Sequence, residues 1–382
     1  MLKKFAAIIT ALLGSKGIYK KYLILNIIII AILTVGVCFV FNDYSWYDTT
    51  IVQIQNVAAS PVTESNRTKS NEKYFQQSMV GIIMNGEYQG KRIYLQNKSS
   101  SSGVLDDKYK SQNEVFVKLH LDHSSKKLTG SIIGFKRDKY MAVLLALFIL
   151  LLINVTKMKG FFTLLSLCIN IGGFIYAVHL NYAGHNVLIL SEFLVLFFTF
   201  ISLLLIGGFK KKTFVAILST LISLCFTMLI FKLAMICTQD INYTYMEYIT
   251  GQNYMADLFM SQVLIGGLGA IMDVAITETS AINELVVVNK EISIRELIQS
   301  GREVGFDIMG TMINILLFTY VCGIIPIVVL KMKNSIKLGT IIRMQMPMEL
   351  YGFMIGGIGI LLTIPISVFV SIVLFKKLRR SL

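Results

Sequence analysis

The sequence predicts an all-α transmembrane bundle of about eight helices, with a small extracytoplasmic β-rich domain inserted between the first and second. Three observations carry that prediction. Hydrophobic residues make up 55% of the chain and charged residues only 15%, where a soluble domain is about 25% charged. Apolar runs of about 20 residues, the length that crosses a bilayer as a helix, recur along the chain. One long polar stretch, 42–139, interrupts them and alternates apolar with polar residues.

Residues 1–21 are basic, with Lys3, Lys4, Lys16, Lys20 and Lys21, and are expected to be cytoplasmic. Their apolar stretch 5–13 suits an interfacial amphipathic helix. Residues 22–41 are the first span. The run is too long for the apolar part of a secretory signal, and no small-residue cleavage site follows it. Within 42–139, the pieces IVQIQNV, SMVGIIM, KRIYLQN, EVFVKLHL and LTGSIIGF are separated by segments rich in Gly, Asn and Ser. Period-2 alternation between such breaks reads as hairpins, and five short strands suggest a small antiparallel barrel or sandwich. It would bind a ligand or partner, or serve as a scaffold.

Residues 140–376 form a seven-helix membrane domain, and 377–382 are a basic cytoplasmic tail. The seven spans are expected near 140–156, 161–180, 187–206, 213–237, 258–287, 306–330 and 350–375. Net charge is +14, but nucleic acid is not an expected partner, because the cations cluster between apolar runs. Lys157 and Lys159, then Lys210, Lys211 and Lys212, then Lys290, Arg295 and Arg302 fall in alternate connections, and Lys376, Lys377, Arg379 and Arg380 close the chain. The intervening connections 181–186 and 238–257 carry no Lys or Arg. Positive charge stays inside, so both termini are expected in the cytoplasm and 42–139 outside. The connection 331–349 disagrees, with Lys331, Lys333, Lys337 and Arg343. Residues 334–348 are expected to lie along the outer surface as an amphipathic segment.

The chemistry is concentrated in 266–326. Asp273, Thr277, Ser280 and Glu284 recur at i, i+4, i+7 and i+11, one face of a helix. Asp307, Thr311 and Asn314 repeat at i, i+4 and i+7. Ionisable groups at membrane depth normally face protein or water and mark pathways for ions or protons. The competing reading is a set of polar residues satisfied by interhelical hydrogen bonds, with Asp307 stabilising the start of its helix. Glu278 lies about 140° around the helix from Asp273 and faces another partner. Glycines gather here too, at Gly266, Gly267, Gly269, Gly305, Gly310, Gly352 and Gly356. They suit close helix packing or a hinge.

No catalytic residues, metal site or cofactor are predicted. The five cysteines show no ligand or disulfide spacing. An intramembrane aspartyl protease would need Asp directly after Gly-x-Gly. Here Ala270, Ile271 and Met272 separate Gly269 from Asp273.

The stretch GGLGAIMDVAITETSAINEL and the downstream GFDIMGTMINILLFTYVCGIIP resemble the YibE/F-like family of bacterial multi-pass membrane proteins. That family carries Gly-Ala-x-x-Asp-Val-Ala-x-Ser-x-x-Ser-Ala and then Gly-x-Asp-x-x-Gly-Thr-x-x-Asn. Gly269, Ala270, Asp273, Val274, Ala275, Ser280 and Ala281 match the first, and Gly305, Asp307, Gly310, Thr311 and Asn314 the second. Thr277 replaces the usual Ser, and Glu278 stands where a small or apolar residue is usual. One helix, an outer segment and then a bundle is similar to the longer, YibE-type member. The resemblance implies a bacterial plasma-membrane protein that acts with a shorter YibF-like membrane protein; the other expected partners are the lipid bilayer and further copies of the same chain. It supplies no activity. The polar stripes favour a permease-like protein moving a small solute or ion. The alternative is a non-transporting membrane subunit or receptor whose outer domain binds a partner.

Overall fold

The computed structural model describes residues 16–62, 73–101, 103, 106–121, 128–237, 243, 255–289 and 291–380. The chain divides into two compact units, 1–157 and 158–382.

The first unit holds α1 (Lys16–Phe41), a 3₁₀ turn (Asp43–Trp46), five strands and α2 (Asp138–Thr156). The strands are β1 (Thr50–Val62), β2 (Tyr74–Ile83), β3 (Arg92–Ser100), β4 (Glu114–Leu121) and β5 (Leu128–Phe135). They close a barrel in the order β1-β2-β3-β5-β4. β4 returns to lie beside β1 after the β1-β2-β3 meander, which is a Greek key. The expectation of an all-antiparallel arrangement is corrected at one place, because β3 and β5 pair in parallel through Tyr94↔Thr129 and Leu95↔Gly130. The reason is arithmetic: five strands cannot alternate direction all the way round a closed ring. Register shifts at Ile54/Asn56 and Phe116/Val117 curl the strands enough to close it. The period-2 pattern sends Val52, Ile54, Met79, Ile93, Leu95, Val115 and Val117 into one buried core.

A charged junction joins the barrel to the neighbouring chain within this unit. The Lys136 side chain is wholly buried and reaches Asp43 at 2.8 Å and Asp138 at 2.5 Å. Lys139 pairs with Glu114. Tyr44 donates to Glu114 at 2.6 Å, and Tyr47 to Asp138 at 2.7 Å. Asn85 accepts from the Ile51 amide and donates to the carbonyls of Tyr47 and Thr49. Each of these side chains therefore keeps at least one partner, which offsets the cost of desolvation, although Glu114 Oε2 is left without one among the described residues.

The second unit is wholly helical among the described residues apart from turns: α3 (Met158–Tyr182), α4 (Val187–Gly207), α5 (Lys211–Cys237), α6 (Met255–Val288), α7 (Ile294–Lys333) and α8 (Leu338–Arg380). α6 and α8 form its centre. α6 packs on α4, α5, α7 and α8, and α8 on α5, α6 and α7. Seven helices of the described chain, α2 to α8, are long and apolar enough to cross a membrane, and the apolar part of α1, Asn26–Phe41, is shorter.

Two helices begin earlier than expected. The charged segment before 306 is not a connection: α7 starts at Ile294, where Ser293 and Glu296 form a reciprocal capping box. The last helix starts at Leu338 rather than near 350 and runs unbroken to Arg380. Residues 338–348, expected as part of a separate surface segment, thus belong to the final span's own helix. Lys127, Lys290 and nearly all of 238–254 lie outside the described residues.

Candidate functional site

Backbone geometry sets out the two polar stripes. α6 is 34 residues long, and Asp273 falls near its middle. Asp273, Thr277 and Glu284 are exposed on the second unit and Ser280 is half-buried. Gln262, Gly266 and Gly269 extend the same face and are exposed as well. The stripe from Gln262 to Glu284 runs roughly 33 Å at 1.5 Å per residue, about the thickness of a hydrocarbon core. On α7, Asp307, Gly310, Thr311 and Asn314 are exposed, and Glu303 continues that face.

The two stripes point outward and do not meet at the contact between α6 and α7. That contact is apolar, built from Val274, Leu316, Ala270, Ile308 and Met312, together with Ile360 and Ile364 of α8. Among the described residues neither Asp273 nor Asp307 has a hydrogen-bond or ion-pair partner, and Thr311 donates to its own helix at the Ile308 carbonyl, 2.8 Å away. Asp307 lies 13 residues after the first residue of α7. The helix-start role expected for it is therefore corrected, since end effects fade within the first turn.

The glycines divide by face. Gly267 approaches the Gly356 backbone, Gly266 meets the Tyr320 hydroxyl at the edge of the outward face, and Gly352 lies against the Tyr320 ring. Gly356 sits against Leu316 and Gly305 against Ile364. At these five positions small size permits close helix contact. Gly269 and Gly310 have open space above them and belong to the outward stripes.

The pattern of residue types does not by itself reveal which carboxyl is buried. Glu278 is fully buried, and both its carboxylate oxygens lack a hydrogen-bond partner among the described residues. A Cβ at Gly301 would stand 2.9 Å from Glu278 Oε1 and 2.8 Å from Val368 Cγ2. The absent side chain at Gly301 thus makes room for the carboxyl. The sequence signals were the family departure at Glu278 and its direction, about 140° around the helix from Asp273. Also unforeseen are the hydroxyls buried in the bundle. Ser219, Thr220 and Thr227 on α5 and Thr363 on α8 donate to carbonyls four residues back, at 2.7–2.9 Å. Ser191 of α4 donates to Ser261 of α6 at 2.8 Å. Hydroxyls satisfied this way can be buried in a bundle.

The profile of the YibE/F-like protein family matches residues 144–377, and that of the YibE/F family N-terminal domain matches residues 45–135. No curated protein and no solved structure matches the chain. With the membrane-length helices and the barrel each covered by their own family profile, the chain belongs to the YibE/F-like family.

Proposed function

We propose that this chain is a permease-like membrane protein that moves a small solute or ion along the outward polar face of α6 and α7, and that a second membrane chain closes the pathway. The observation that carries the reading is the α6 stripe of Gln262, Gly266, Gly269, Asp273, Thr277, Ser280 and Glu284, exposed or half-buried over its whole length. An ionised carboxylate facing lipid at mid-membrane costs about 2.5–3.5 kcal/mol on insertion scales. Asp273 has no partner within its own chain among the described residues, so in a bilayer it needs water or another protein beside it. The covering chain is a shorter YibF-like protein or a further copy of this one. Asp273 and Asp307 serve as the charged stations of the path, with Thr277, Thr311 and Asn314 as hydroxyl and amide ligands. This reading takes the protein to be a bacterial plasma-membrane protein that is not an enzyme.

The test is thiol accessibility in intact membranes, after replacing the native cysteines. Single cysteines at Thr277 and Ser280 should react with a water-soluble maleimide, and one at the apolar, exposed Leu196 near the middle of α4 should not. A thiol crosslinker at Thr277 should then yield a product whose mass reports whether the covering chain is a second copy. Unreactive cysteines at both stripe positions would remove the aqueous pathway. A second reading rests on the barrel. Arg92, Tyr94, Gln96 and Lys98 alternate outward on β3, and Tyr94 is 46% exposed. A basic and aromatic strand face suits a receptor or subunit that binds a partner outside the cell. Loss of partner capture on Tyr94→Ala, with solute movement intact, would favour it.

A further inference from the structure

We propose that Glu278 is a proton-binding site inside the helical bundle, separate from the outward stripes and independent of the transport reading. Its environment is built by three helices. Glu278 projects from α6 into the space left by Gly301 of α7, and Val368 of α8 and Ile282 of α6 close around that space. Val368 and Ile282 also belong to a buried apolar cluster with Val215, Leu297 and Phe375. The carboxyl is therefore walled by hydrocarbon and glycine, and it is fully excluded from solvent in the chain.

A carboxyl in such a place has three ways to avoid an uncompensated charge: a cationic side chain, a metal ion or a proton. The first is absent among the described residues. No charged group acts on Glu278 from α5, α6, α7 or α8. Arg302, next to Gly301, stacks on Phe306 at 5.0 Å instead. A metal ion would need six or more oxygens for calcium, or an octahedral set for magnesium. The atoms that a Cβ at Gly301 would meet beside Glu278 Oε1 are methyl groups of Val368 and Ile282. The hydroxyls of Thr279 and Ser371 are also buried and unpartnered, but neither hydrogen-bonds to the carboxyl. A proton needs no ligand sphere, so it fits where a cation does not. The protonated group is a neutral acid, and its release leaves one negative charge in the bundle.

The structure also offers a route to the site. An apolar groove of about 640 Å³ opens between α7 and α8, lined by Ile298, Arg302, Phe306, Ile364, Val368 and Phe369 among others. Val368 is shared by the groove and the Glu278 pocket. A hydrophobic carbodiimide, which attacks protonated carboxyls in apolar surroundings, can therefore approach from the groove.

The experiment uses the full chain in lipid nanodiscs. Infrared difference spectra between wild type and Glu278→Gln should show one carboxylic-acid carbonyl band at neutral pH. That band should shift in heavy water and shrink as pH is raised. Gly301→Ala, which forces a methyl group against Oε1, should move the band's frequency without abolishing it. A folded Glu278→Gln protein with no band difference from wild type at any pH overturns the proposal. Should that variant fail to fold, the wild type alone decides. Dicyclohexylcarbodiimide should modify Glu278, located by peptide mass spectrometry, and less so at alkaline pH. An unmodified Glu278 beside modified carboxyls elsewhere in the chain overturns the proposal.

Discussion

At the scale of single residues, the decisive property is what a charged side chain meets. Lys136 and Glu278 are both fully buried, yet their surroundings are opposite. Lys136 has Asp43 and Asp138 in direct contact, and Glu278 has no partner among the described residues. Removing one member of a buried pair leaves the other uncompensated, at a cost of about 3–5 kcal/mol. Lys136→Ala should fall at the low end, because Asp138 retains 28% side-chain exposure and can rehydrate. Thermal unfolding of the full chain in detergent measures it, and an unchanged midpoint would remove the junction from the stability of the first unit. The junction also predicts a pH dependence. Burial lowers the Lys136 pKa, but its hydrogen bonds to Asp138 and Asp43 prevail and hold it above the ordinary lysine value. Burial, then the hydrogen bond to Glu114, pushes Tyr44 up. The hydrogen bond to Asp138, then burial, pushes Tyr47 up. All three values are raised in the folded state. Their contribution is therefore fully present below the unfolded values, about 10, and is lost as pH rises through the folded ones. The unfolding midpoint should drop on the alkaline side above about pH 10, less steeply in Tyr44→Phe.

At the scale of elements, α7 and α8 show how helix contact is controlled. Tyr320 projects from α7 across Gly352 of α8, and a Cβ there would lie 2.6 Å from the ring's Cε1. Gly352→Ala should therefore separate the two helices or twist the ring, costing about 1–3 kcal/mol as overpacking does. Tyr320→Leu in the same chain should recover part of the loss, since the two positions share one contact and do not add independently. Thermal stability of the single and double variants in detergent checks this. Equal losses in both would mean that Gly352 matters for some reason other than the ring. The stripes obey the same local rule in reverse. Gly269 and Gly310 have nothing above them, so Gly310→Ala should raise stability in detergent by up to about 1 kcal/mol and, on our proposal, weaken association with the covering chain. Thermal unfolding reads the first outcome and native mass spectrometry the second.

At the scale of the whole molecule, the distribution of charge between the spans predicts sidedness. On the positive-inside bias of the basic connections, we propose that 42–139 lies outside and both termini inside. Single cysteines at Ser101 and Ser381 test it with a membrane-impermeant thiol reagent on intact cells. Labelling at Ser101 and protection at Ser381 is the expected result, and labelling at Ser381 would overturn the assignment. Asp273→Asn keeps shape and hydrogen-bonding capacity but removes the charge. If the stripe is a pathway, that variant should stay folded and lose solute movement in reconstituted vesicles. Full movement in a stable Asp273→Asn protein would leave the stripe as an association face alone.

Much of this was legible in the chain itself. Hydrophobic run length is set by bilayer thickness, so the apolar helices could be located without tertiary knowledge. Period-2 alternation is imposed by the pleat, and the five strands formed where it predicted them. The spacing of Asp273, Thr277 and Ser280 put them on one helix face because the helical repeat is local. What a face looks toward is not local. That the α6 stripe turns outward, that β5 closes the barrel against β3 in parallel, and that Glu278 enters the gap at Gly301 all depend on partners tens of residues away in sequence. A side chain's direction about its own helix follows from the repeat; its burial follows from which helices surround that direction, and only the folded chain decides that.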